Sequence, residues 1–110
     1  TSNLNNKTAI ICDDICDSGG TLIKVVENLE KYGIKNVIVI ITHGIFSGQC
    51  IERLKNCSVI SKVIVSDTIN QTMNLEKLDN KLEIFSVSKL IGQVISNIIT
   101  GNSLSELFCE

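Results

Sequence analysis

Nine consecutive residues, Asp13-Asp-Ile-Cys-Asp-Ser-Gly-Gly-Thr21, combine side chains that can hold a polyol with a backbone that can hold an anion. Gly19 and Gly20 let the main chain approach an anion with no Cβ in the way. Ser18 and Thr21 add hydroxyl donors. Apolar residues at helical spacing follow, so the segment opens a helix. The first N–H groups of a helix and its positive dipole end favour a phosphate. A phosphate cradle has no use for acids, which would repel the anion. Asp13 and Asp14 are suited instead to accept hydrogen bonds from neighbouring sugar hydroxyls. The implied ligand carries a phosphate at one end and a diol a few ångströms away, which a pentose 5-phosphate satisfies. The competing reading is structural: Asp17 or Ser18 caps the helix and the acids are merely solvated. Two adjacent acids at the end of an apolar run weigh against it. No Gly-Lys-Ser/Thr follows and no Gly-x-Gly-x-x-Gly is present, so the loop is neither a Walker A loop nor a dinucleotide turn.

The elements that must position this loop can be read from periodicity. Residues 7–14 form an apolar run ending in acids, the pattern of a buried strand. Leu22, Val25, Val26, Leu29 and Tyr32 fall at helical spacing, and Gly33 supplies the stop. Residues 36–42 form a second buried strand, with a turn at His43-Gly44. Residues 48–56 read as a helix with Ile51 and Leu54 inward. A third strand spans 59–66, a polar connection runs from Asp67 through Asn74, and a fourth strand covers 81–87. Residues 88–100 are amphipathic, with Leu90, Ile91, Val94, Ile95, Ile98 and Ile99 on one face, and Gly101 ends them. A last turn covers 102–108. This alternation predicts an α/β fold, a three-layer sandwich around a mainly parallel sheet with right-handed crossovers. Ligands in such sheets sit beyond the carboxyl ends of the strands, which places residues 13–21, 42–44 and 66–68 along one edge.

Composition narrows the function classes. The chain has 110 residues, the length of one domain or part of a larger protein, and its 44% hydrophobic content suffices for a core. A net charge of −2 and 4% aromatic residues argue against a nucleic-acid partner. No apolar run approaches the roughly 20 residues of a membrane span, and no targeting peptide is evident. Cys12, Cys16, Cys50, Cys57 and Cys109 form no C-x-x-C pair, and their odd count reads as free thiols in a reducing, cytoplasmic setting rather than a disulfide framework. Cys12 is expected to act as a small hydrophobe within its strand. The abrupt polar start at Thr1 suggests a fragment. His43, the single histidine, is expected to be a hydrogen-bonded residue at a strand end rather than a catalytic base.

The segment Cys12-Asp-Asp-Ile-Cys-Asp-Ser-Gly-Gly-Thr-Leu22 resembles the phosphoribosyl-diphosphate-binding signature of the type I phosphoribosyltransferase fold. Further segments narrow the likeness to the ribose-phosphate diphosphokinases. Thr42-His-Gly-Ile-Phe-Ser-Gly48, Val65-Ser-Asp-Thr-Ile69, Phe85-Ser-Val-Ser-Lys-Leu-Ile91 and Asn102-Ser-Leu-Ser-Glu-Leu-Phe108 resemble successive segments of that family, in order, over nearly the whole chain.

The resemblance implies a single phosphoribosyltransferase-like domain over residues 1–110, the carboxy-terminal half of a two-domain enzyme. That enzyme transfers the diphosphoryl group of ATP to the anomeric hydroxyl of ribose 5-phosphate, giving phosphoribosyl diphosphate for nucleotide biosynthesis. It implies that Asp13 and Asp14 hold the ribose hydroxyls, and that Asp17, Ser18, Gly19, Gly20 and Thr21 hold the 5-phosphate. It implies Mg2+ with ATP, both held mostly by a half upstream of Thr1, so no catalytic residue is assigned here and the fragment alone is expected to be inactive. The full protein is expected to be a homo-oligomer. Ser103-Leu-Ser-Glu106 matches a capping box. By resemblance, Ser103, Ser105 and Phe108 mark an allosteric phosphate site. The alternatives are a phosphoribosyltransferase, for which no base-recognising hood is evident, and a non-catalytic regulatory paralogue. Three positions depart from the family pattern: Gln49 and Asn70 stand where proline is common, and Gly19 where alanine is, changes expected to affect turn flexibility only.

Overall fold

The computed structural model describes residues 3–108. Four strands, β1 (Thr8–Cys16), β2 (Asn36–Gly44), β3 (Ile60–Ser66) and β4 (Leu82–Phe85), form one parallel sheet in the order β1-β2-β3-β4. They are linked by α1 (Gly20–Lys31), α2 (Cys50–Asn56) and α3 (Thr72–Leu78), and α4 (Ser88–Thr100) follows β4. The expected α/β fold with a parallel sheet is present.

Each crossover steps one strand in the same direction. With right-handed connections that puts α1, α2 and α3 on one face of the sheet. Burial agrees. Val37, Val39 and Ile41 of β2 and Val63 and Val65 of β3 are buried against the helices, together with Val26, Ile51 and Leu54. The alternate residues Ile38, Ile40 and Ile64 are half-buried, and Ile10 is 62% exposed. Among the described residues the sheet and one helical layer are therefore filled, and the opposite face is open. Cys12 lies on the exposed part of β1 rather than in a core.

The helix ends follow local chemistry. Gly33, at φ 95°, ends α1, with its N–H donating to Glu30 O and the Ile34 N–H to Leu29 O, a glycine-terminated cap. Gly101, at φ 74°, closes α4 in the same left-handed conformation. Several element ends differ from the sequence reading: β1 runs on to Cys16, β2 takes in His43 and Gly44, which were expected as a turn, and β4 is shorter at both ends. The polar connection after β3 contains α3, whose entry is fixed by Asn70 Oδ1 accepting the Thr72 N–H at 2.9 Å. The apolar stripe of α4 is not inward: Ile91, Ile95, Ile98 and Ile99 are each more than half exposed, and Asn97 is the helix's buried residue. No helix among the described residues is long and apolar enough to cross a membrane.

Candidate functional site

β1 delivers the chain to the carboxyl edge of the sheet, and residues 17–19 carry it into α1. Gly19 is the N-cap of α1, at φ 77° and ψ 0°. A Cβ there would lie 2.8 Å from Cys50 Sγ, so the loop needs glycine both for its dihedral and for space. No side chain hydrogen-bonds to this helix start, and its first turn carries no acid. Neither Asp17 nor Ser18 is a cap. The N-terminal N–H groups of α1 instead open onto a cavity of about 340 Å³, lined by Asp13, Asp17, Ser18, Gly19, Gly20 and Thr21 over a floor that includes Ile41.

Adjacent strand residues point to opposite faces, and the two acids divide accordingly. Asp13 lines the cavity and Asp14 does not. Each carboxylate also accepts the next residue's N–H: Asp14 N donates to Asp13 Oδ1 at 2.9 Å, and Ile15 N to Asp14 Oδ1 at 2.8 Å.

The loop is held from below by the β2–α2 connection. Ile45 and Phe46 donate their N–H groups to Cys16 O at 3.0 and 3.1 Å, and Ser47 N donates to Asp17 O at 3.0 Å. The Ser47 hydroxyl donates to the Asp17 carboxylate. Arg53 of α2 reaches across to donate from its guanidinium to Ser18 O at 2.6 Å. Phe46 is buried at φ 50°, a left-handed conformation unusual for a bulky residue. Its ring lies against Gly44, where a Cβ would meet Phe46 Cζ at 2.7 Å and Val65 Cγ2 at 2.8 Å. Backbone strain of this kind persists only where the surroundings over-determine it; here the bonds to Cys16 and Asp17 do so.

Along the same edge, His43 Nδ1 lies 2.8 Å from Thr68 Oγ1, and buried Ser66 donates its hydroxyl to Thr42 O at 2.6 Å. His43 is thus a hydrogen-bonded residue at a strand end. The Asp67 carboxylate accepts the Val87 N–H at 2.9 Å at the entry to α4; hydrogen bonds from Ser86 and then Val87 hold it below the usual carboxylate range. The cavity combines anion-favouring backbone donors with the Asp13 carboxylate, while Asp17 on the same wall is tied to Ser47, an arrangement that can bind a sugar phosphate. Among the described residues, no cluster of three or more His, Cys, Asp or Glu side chains is placed to hold a metal ion.

The tail forms a second, polar cavity of about 450 Å³ between α4 and the last turn, lined by Gln93, Asn97, Asn102, Ser103, Glu106 and Leu107. Ser103 Oγ accepts the Ser105 N–H at 3.2 Å and lies 2.7 Å from Ser105 Oγ, at the start of a short 3-10 helix, Ser105–Phe108. Ser103 and Glu106 line this cavity; Ser105 and Phe108 do not, and Phe108 is 60% exposed.

The sequence model of the phosphoribosyl synthetase-associated domain matches residues 2–109. The chain belongs to this family. It is 48% identical over 105 residues to a ribose-phosphate pyrophosphokinase of Aquifex aeolicus, a match covering 96% of this chain and 32% of that protein. It is 40% identical over 103 residues to one of Buchnera aphidicola, covering 94% and 32%. A crystal structure of phosphoribosylpyrophosphate synthetase from Mycobacterium smegmatis superposes with a TM-score of 0.82 at 31% identity, covering 93% of this chain and 33% of that one. The chain thus spans about a third of the length of the curated relatives it matches.

In this synthetase-associated domain, three residues at the loop escape a motif reading. Arg53, the sequence's single arginine, lies 35 residues from the carbonyl it supports. Ser47 and Cys50 also come from the connection and helix beneath the loop. Ser47 falls within the family-like segment 42–48 but carries no role of its own in that pattern. The signal for Arg53 was its place in a helix whose apolar face is inward, but only the sheet register decides which loop that helix underlies.

Proposed function

We propose that this domain binds ribose 5-phosphate within a ribose-phosphate diphosphokinase, as the acceptor for the diphosphoryl group of ATP. The observation that carries the reading is the uncapped start of α1 facing a cavity with Asp13 on its wall. A helix start left without a side-chain cap is suited to an anion, and a carboxylate beside it is suited to sugar hydroxyls rather than to the phosphate. The relatives' names support the same substrate class. In this reading the backbone N–H groups of Gly20 and Thr21 and the hydroxyls of Ser18 and Thr21 hold the 5-phosphate. Asp13 orients the ribose, and Asp17 acts through its bonds to Ser47. The domain's contribution is placement of the nucleophilic sugar, since diphosphoryl transfer relies on positioning and charge neutralisation.

The chain's share of its relatives' length supports its placement as one part of a longer enzyme, in our reading the carboxy-terminal part, with ATP and Mg2+ held elsewhere. The described residues do not themselves assemble a magnesium site, so no step is assigned to the ion here. Ser103 stands as part of a proposed second anion site, supported by its place on the wall of the polar cavity at the tail; Ser105 enters this reading only through its bonds to Ser103.

Titration of the full-length parent with ribose 5-phosphate in a calorimeter tests the reading. A hydrogen bond to a charged group contributes roughly 1.5–3 kcal/mol, so Asp13→Ala should weaken binding by about tenfold or more, and Thr21→Ala should weaken it too. Asp14→Ala should cost less, because Asp14 does not line the cavity. Unchanged affinity in Asp13→Ala and Thr21→Ala would refute the site.

A further inference from the structure

Directly beneath the loop, Cys16 Sγ and Cys50 Sγ lie 3.8 Å apart. Both residues are buried, Cys50 completely, yet Cys16 forms part of the wall of the 340 Å³ cavity. A small oxidant entering that cavity therefore meets one sulfur of the pair and not the other. We propose that Cys16 and Cys50 are an oxidisable dithiol that closes to a disulfide under the loop at residues 17–21. The sulfurs are in contact, one is reachable, and the second waits behind it, which is the arrangement of an attacking and a resolving thiol.

The two thiols are not equivalent. The hydrogen bond between them, with Cys50 as donor, lowers the Cys16 thiol from its ordinary value against the opposing effects of burial and of the Asp13 and Asp17 carboxylates. The same bond, together with burial, raises Cys50. Cys16 is therefore the nucleophile. With hydrogen peroxide as the oxidant, the Cys16 thiolate attacks one peroxide oxygen. An S–O bond forms, the O–O bond breaks, and hydroxide leaves and takes up a proton as water. Cys50 then loses its proton and attacks the Cys16 sulfur, breaking the S–O bond and releasing a second water. Two thiols and one peroxide give one disulfide and two waters; the sulfurs lose two electrons and the peroxide gains them.

The bond has a consequence for the loop. A disulfide is about 2.05 Å long, so the sulfurs must draw together by about 1.8 Å. Cys50 Sγ is the atom that Gly19 packs over, and Cys16 carries the carbonyl on which Ile45 and Phe46 are anchored. Closing the bond moves the floor beneath Gly19 and shifts the N–H groups at the start of α1. Oxidation should weaken ribose 5-phosphate binding by about tenfold, an effect that rests on the function proposed above.

The test uses the full-length polypeptide exposed to mild peroxide and digested with trypsin without reduction. The expected product is a cross-link between peptides 8–24 and 36–53, which contain Cys16 and Cys50 respectively. Fragmentation between Cys12 and Cys16 shows which of the two carries it. Dithiothreitol should remove the link. In Cys50→Ser, Cys16 should stop at the sulfenic acid and be labelled by dimedone. A link from Cys12 instead, or Cys16 found as sulfinic acid with Cys50 still a thiol, overturns the dithiol, as does an unreacted Cys16 beside an oxidised Cys12. Calorimetry on the same samples separates the two claims. If the reduced protein does not bind ribose 5-phosphate, the proposed function fails while the peptide map still decides the thiol pair. If the link forms and affinity is unchanged, control of the loop by oxidation is refuted.

Discussion

Gly19 carries two constraints at once, a left-handed dihedral and a sulfur in contact beneath it. The sequence suggested that glycine in place of alanine here is a matter of flexibility; the structure makes it a requirement of this loop with this neighbour. A non-glycine residue in the left-handed region costs roughly 1–2 kcal/mol, so Gly19→Ala should lower stability in urea denaturation by about that amount. Part of the cost is steric and comes from Cys50 Sγ. In a Cys50→Ala background the same substitution should therefore cost measurably less. An equal penalty in both backgrounds would place the whole effect in the dihedral. Arg53 is the second residue whose importance is spatial. Its guanidinium holds Ser18 O and adds positive charge beside Gly20, where a Cβ would come 3.6 Å from its Nη1. Arg53→Met should weaken ribose 5-phosphate binding by about tenfold, the lower end for a charge-assisted hydrogen bond at an exposed site. Calorimetry showing unaltered affinity would remove Arg53 from the site.

At the scale of elements, the strands and α1, α2 and α4 were legible because each has a clean apolar period. The span of α4 agrees with its sequence pattern because Gly101 marks its end unambiguously. α3 was hidden because Met73 and Leu75 are exposed and only Leu78 is buried, so the helix has almost no apolar stripe to read. Its entry is set by Asn70, one of the positions where proline would be common, and the side chain supplies a hydrogen bond that proline could not. Asp67 ties the β3 edge to α4 in a similar way. Its folded value lies below the ordinary 3.8, so as pH falls the unfolded chain takes up a proton first. The stabilisation from this carboxylate is complete above about pH 5 and is lost as pH falls from near 3.8 through the lower folded value. Acid titration followed by circular dichroism should show Asp67→Ala less stable than the parent at pH 7, with the difference shrinking toward pH 2. A difference independent of pH would show that the carboxylate's charge is not what matters.

At the scale of the whole molecule, the notable feature is how much apolar surface stays open. One face of the sheet and the stripe of α4 are uncovered among the described residues, and the chain is about a third as long as its relatives. Ile10→Ser should therefore change the stability of the 110-residue chain by no more than about 0.5 kcal/mol, as for an exposed site. In a full-length parent whose remaining residues cover that face, it should cost about 1–3 kcal/mol, and equal small effects in both would show the face is never covered. The isolated chain, supplied with ATP and ribose 5-phosphate, should make no phosphoribosyl diphosphate; turnover would show that this chain alone suffices. The sequence by itself determined the α/β class, the strand that ends in acids, and a loop whose residue types suit a sugar phosphate. These depend on local periodicity and on the chemistry of neighbours in the chain. Only the tertiary structure decided that the start of α1 is uncapped, that Asp13 faces the cavity while Asp14 turns away, and that Ser47, Cys50 and Arg53 lie under the loop. Those facts depend on the pairing of β1 with β2, which sets residues some 30 positions apart against one another. No periodicity along the chain encodes that distance.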